Sequence, residues 1–110
     1  MTIGHLQYEH RQWLNHNFGP GDNQAYVWQF VGITEEVGEL AHALLKQHQG
    51  IRGTDDEHTA AARDAVGDIF IFLMGFCSRM GFDLEEVIEE TWAEVKLRDW
   101  TKGKEQNDVA

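Results

Sequence analysis

Between Thr54 and Gly81 the chain runs DDEHTAAARDAVGDIFIFLMGFCSRM without a turn signal, and this segment constrains the fold more than any other. Ala61, Ala65, Asp68, Phe72 and Phe76 keep a helical phase through it, so a strand reading of IFIFL is rejected. Ile69 to Phe76 is apolar nearly all round, which on a helix marks an element enclosed by neighbours. A helix that must be covered on every side calls for other helices to cover it.

Those helices are legible on both sides. Thr2 is a candidate N-cap for a first helix to about His16, with Ile3, Leu6, Trp13 and Leu14 as its apolar positions. The loop NFGPGDN, Asn17 to Asn23, ends it. A second helix is expected from about Gln24 to Gln49, with a stop at Gly50. Thr54 with Glu57 three positions on forms a capping box opening the third helix, and Asp83 with Glu86 is a similar start for the fourth. Leu84, Val87, Ile88, Thr91, Trp92 and Val95 make an amphipathic stripe on that fourth helix, which is expected to end near Trp100. The reading is an all-α four-helix bundle, a single domain over 1–110, with an N-terminal helix inside 1–17 and a polar, frayed tail at 101–110. So much apolar surface on the third helix implies a homodimer or homotetramer.

Charge and composition narrow the function. A formal net charge of −10 repels nucleic-acid backbones, so a nucleic-acid polymer is excluded as a stable partner. The longest apolar run, Ile69 to Cys77, falls short of the roughly 20 residues that span a bilayer. The start TIGHLQYEHRQWL lacks a signal-peptide pattern, so no membrane association is expected. Cys77 is the only cysteine; it is expected as a buried free thiol, and a reducing, cytoplasmic setting fits it.

The stretch TEEVGELAHALL carries Glu35, Glu36 and Glu39. On a helix Glu36 and Glu39 lie about 60° apart and Glu35 and Glu39 about 40° apart, so all three point to one side. Asp64 and Asp68 share a face of the next helix, bordering Ala61, Ala65 and Phe72. If the two helices pack antiparallel, the acidic patches meet, and they repel unless a cation sits between them. Oxygen-only ligands with room for water and phosphate oxygens describe a Mg²⁺ site. The bland alternative is a solvated acidic helix face, which is common for one such motif and less so for two facing ones.

EEVGEL followed by DAVGDIFIFL, with TWAEVKLRDW near the C-terminal end, resembles the MazG-like branch of the all-α nucleoside triphosphate pyrophosphohydrolases over roughly residues 18 to 100. The resemblance implies Mg²⁺-dependent hydrolysis of an NTP or dNTP to the monophosphate and pyrophosphate, with Mn²⁺ as a substitute ion, in nucleotide-pool housekeeping. Carried over by position, it puts metal ligands at Glu36, Glu39 and Asp68 and a water-orienting catalytic carboxylate at Glu35 or Glu36. The family's usual Glu three residues before Asp68 is Ala65 here, and Asp64, one residue earlier, is the substitute ligand. Arg98, with Lys96 as second choice, matches the family's basic residues near the end of the fourth helix, for phosphate contact.

Other residues have two readings each. Trp13, Phe18 and Trp28 either stack on a base or belong to the core, the core being the commoner outcome, and Trp92 and Trp100 read as packing residues. Lys46, Gln49 and Arg52 flank the GIRG stretch, which either closes over phosphates or is a helix cap and connector. Glu39 and His42 form one Glu-x-x-His; a ferritin-like di-iron site wants that pair on two helices. His5, His10 and His16 scatter round the first helix, so they make no zinc site. The remaining alternative is a non-catalytic bundle that binds a nucleotide or a protein, suggested by Ala65 at a ligand position.

Overall fold

The computed structural model describes residues 1–102, and the expected polar tail lies almost wholly outside them. Among the described residues the chain is all-helical: α1 (Ile3–Phe18), α2 (Ala25–Gln49), α3 (Asp55–Met80) and α4 (Leu84–Val95), with no strand. Local chemistry sets most boundaries. Thr2 accepts from the His5 amide at the start of α1. Thr54 and Glu57 form the reciprocal capping box on α3, and Asp83 accepts from the Glu86 amide at the head of α4. Gly50 and Gly81 close α2 and α3 in the left-handed region, where a side chain would be strained. α4 is shorter than its stripe suggests, stopping at Val95.

α2 and α3 form an antiparallel pair that carries most of the tertiary contact. Their seam is narrow because small residues sit where the helices meet: Gly32 and Ala43 on α2, Ala65 and Gly75 on α3 are all buried. A Cβ at Gly32 would run into the Phe72 ring. Gly32→Ala is therefore expected to push the pair apart and cost about 1 to 3 kcal/mol, the usual range for overpacking; urea unfolding of the variant checks it. A midpoint equal to the wild type would mean the seam is softer than it looks.

α1 lies across the C-terminal half of α3. Arg79 ties its end, donating to Asn15 Oδ1 at 2.6 Å and to the Gly19 carbonyl at 3.0 Å. Gln7 ties its start, donating to Ser78 Oγ and the Phe82 carbonyl while its Oε1 accepts from the Leu84 amide. Through Gln7 the second turn of α1 also holds the first turn of α4, which departs from α3 at a bend of 103°.

The four helices do not close into a bundle within one chain, because that bend carries α4 onto α1 and away from α2. The central cluster is small: Met74, Cys77 and Leu84, with Ile3, Leu73 and Phe76 against it. Cys77 is buried and free, as expected. The aromatic residues read as core are not core here. Trp28 is 71% exposed and Trp92 59%, and Phe18 and Trp100 are exposed too. Even Phe70 and Ile71 of the all-round apolar run face solvent. A groove of about 520 Å³ lies between the end of α3 and α4, lined by Leu73, Phe76, Val87, Ile88, Trp92 and Val95. Among the described residues no single helix is long and apolar enough to cross a membrane.

Candidate functional site

Glu36 falls on the line of α2 that faces α3, one turn beyond Gly32 and in register with the small residues of the seam. It is only 8% exposed, the most deeply buried carboxylate among the described residues. Its Oε2 is shut off from solvent and has no hydrogen-bond partner. A buried charge without a partner is costly, and native chains rarely leave one.

The neighbours of Glu36 are of its own sign. One ligand oxygen each from Glu35, Glu36 and Glu39 can be chosen so that all lie within 4.8 Å of one another. Burial first, then the charges of Glu39 and Asp68, a hydrogen bond from the protonated Glu36 carboxyl to Glu39, and the charge of Glu35, hold the Glu36 carboxyl above the usual carboxylate range. Asp68 is thus the α3 carboxylate whose charge bears on Glu36. Asp64 shares its face of α3, as expected, but stands exposed beside it; the two line an open depression of about 480 Å³ with Arg63, Gly67 and Ile71. The tight oxygen set comes from α2 alone, and neither Asp68 nor Asp64 joins it; Asp64 lies about 100° round the helix from Ala65, and it is Ala65 that occupies the seam.

Comparison of this chain with family models, with curated proteins and with solved structures finds no match. The acidic site stands on its own geometry.

The basic candidates fare differently. Lys46 donates to Gln49 Oε1 at 3.0 Å within the last turn of α2. Arg98 follows α4, and α4 packs mainly on α1, so the chain does not bring Arg98 to Glu36. Trp13 is half exposed and stacks on His10 at 5.7 Å between ring centroids, with Phe18 edge-on at 6.0 Å. Leu6, His10, Trp13, Ile71 and Met74 line a recess of about 330 Å³. Ile71 belongs to that recess and to the Asp64–Asp68 depression alike, so the two adjoin. His42, with Glu39, lines a third cavity under the α2–α3 loop.

Two buried histidines went unmarked by the sequence. His58 Nε2 bonds the Ile51 carbonyl at 2.9 Å and locks the α2–α3 loop onto α3. His10 is buried against α3 with Nδ1 unpartnered. Its place one turn from both Leu6 and Leu14 was the available signal. Burial, and secondarily Arg79, hold the His10 pKa below the usual histidine value.

That shift has a testable sign. The folded state binds fewer protons at His10 than the unfolded state does, so stability is full above the ordinary histidine pKa of about 6.5 and falls as pH drops toward the folded value. Between about pH 7 and pH 5 the wild type is expected to lose melting temperature relative to His10→Gln, the opposing contribution of Glu36 being common to both proteins. Parallel curves for the two proteins would remove His10 as the cause.

Proposed function

We propose that Glu36, Glu39 and Asp68 hold a divalent cation, Mg²⁺ with Mn²⁺ as a substitute, and that the protein is a nucleoside triphosphate pyrophosphohydrolase of the MazG-like type. The observation that carries this reading is the buried, unpartnered Glu36 oxygen grouped with Glu35 and Glu39 on α2, with the charge of Asp68 on α3 bearing on it. A hard cation is the partner such an all-oxygen set fits. When bound, it would neutralise the carboxylates, draw in phosphate oxygens and make a bound water more acidic.

The chain's own residues supply the rest. Glu35 is exposed beside Glu36, free to orient the attacking water toward the α-phosphorus and to accept its proton. The recess of Trp13 and His10 offers an aromatic face to a base, reached from Asp68 past Ile71. Pyrophosphate leaves, and the nucleoside monophosphate remains. Asp68→Asn is expected to abolish pyrophosphate release from NTPs or dNTPs and to leave helicity unchanged; near-wild-type turnover would remove Asp68 from the site.

The exposed apolar faces complete the proposal. A homodimer or homotetramer would cover the α3–α4 groove, as a domain of 110 residues does when its own core is small. A reducing cytoplasm suits the free Cys77.

Ala65 favours a second reading, a bundle that binds a metal-bound nucleotide without turning it over, because the seam of α3 lacks a carboxylate at that place. Metal-dependent release of pyrophosphate separates the two readings.

A further inference from the structure

The link between α2 and α3 has an unusual backbone. Arg52 is the only non-glycine residue with positive φ among the described residues, at 58°, and it stands between Gly50 at 68° and Gly53 at 135°. A left-handed arginine is uncommon, since Gly or Asn occupies such positions at lower steric cost. The loop is also fixed. Gly50 caps α2 through the Gln47 and Lys46 carbonyls, His58 holds the Ile51 carbonyl, and Thr54 begins the capping box of α3.

Arg52 lines the cavity under this loop, about 370 Å³, together with Glu39, His42, Glu57 and His58. Glu39 belongs at once to this cavity and to the acidic group around Glu36. Among the described residues Arg52 forms no ion pair, in a chain that carries 19 carboxylates against nine Lys and Arg residues. Glu57, the acid nearest in sequence to face it, is occupied with the Thr54 amide and hydroxyl. Lys46, which the sequence offered for phosphate contact, is held by Gln49.

Resting on the reading above, the geometry points to Arg52 as the residue that receives the pyrophosphate end of the substrate, and so to a direction for the substrate along α3. The order is the Trp13 recess at Ile71, then Asp68 with the glutamates, then the Arg52 cavity at His58. The nucleoside lies at the first and the β- and γ-phosphates at the last, where a guanidinium fork can grip two phosphate oxygens at once. The loop acts as a fixed platform for this fork, with no need of closure.

The test is steady-state hydrolysis of the nucleotide that the wild type turns over fastest, with product inhibition by inorganic pyrophosphate and by the matching monophosphate. Arg52→Gly removes the fork at a position whose backbone suits glycine, so its melting temperature should equal or exceed the wild type's. It is expected to raise KM and the pyrophosphate inhibition constant by roughly tenfold or more, with monophosphate inhibition unchanged. Arg52→Lys, which keeps the charge and loses the fork, should fall between. An active wild type with unaltered constants in Arg52→Gly overturns the inference alone. Weakened monophosphate inhibition with unchanged pyrophosphate inhibition overturns the direction, and a wild type without turnover overturns the reading beneath it.

Discussion

Glu36→Gln is expected to make the metal-free protein more stable and the enzyme inactive. The wild-type carboxylate is buried, lacks a partner on Oε2 and faces Glu39, Asp68 and Glu35. The amide keeps its shape, removes the repulsion and can donate to Glu39. Without metal, then, the variant should melt higher than the wild type in chelator.

Adding Mg²⁺ reverses the order. An ion present at about a hundred times its dissociation constant adds about 2.7 kcal/mol to the folded state that binds it. At about 4 °C per kcal/mol for a domain of this size, the wild type should rise by roughly 10 °C. Glu36→Gln should rise far less and should release no pyrophosphate. The pH dependence carries the same signature. A carboxyl whose pKa is raised on folding contributes stability below its unfolded pKa and loses it as pH rises through the folded value, so the metal-free wild type weakens with rising pH through that window and the variant does not. A variant less stable than the wild type in chelator would mean that Glu36 is satisfied by the protein itself.

Trp92→Glu is expected to change the mass of the particle in solution. The groove that Trp92 lines is apolar on both walls, α3 and α4, and among the described residues nothing of the chain covers it. Exposed apolar patches rimmed by polar residues mark interfaces. Light scattering should give the wild type a mass of two or four times 12.6 kDa and the variant the mass of one chain. Its stability should fall with dissociation, since burial of one large apolar side chain alone is worth about 1.5 to 3 kcal/mol. A wild type that runs as a monomer would leave the groove without its proposed occupant.

The sequence was informative where the determining interactions are local. Thr2, the Thr54–Glu57 pair, Asp83, Gly50 and Gly81 mark helix ends through side chains and backbone within a few residues, and the structure places the ends there. The grouping of Glu35, Glu36 and Glu39 is likewise a property of one helix. What depends on distant packing was harder to read. The stripe of α4 shows which face is apolar but not what covers it, so Trp92 and Trp100 read as packing residues and emerge exposed. Asp64 shares a face with Asp68, yet only the α2–α3 register reveals that Ala65 holds the seam. Arg52 gave no sign of its left-handed backbone, which the fixed loop imposes. His10 and His58 are polar residue types in buried places, and hydropathy alone passes over them.

The measurement that bears most directly on the central claim is phosphorus NMR of the purified protein with each NTP and dNTP, first with Mg²⁺ and then with chelator. Monophosphate and pyrophosphate are expected in equal amounts with Mg²⁺, and intact nucleotide with chelator. Diphosphate with inorganic phosphate, the same products in chelator, or intact nucleotides throughout from folded protein would contradict it.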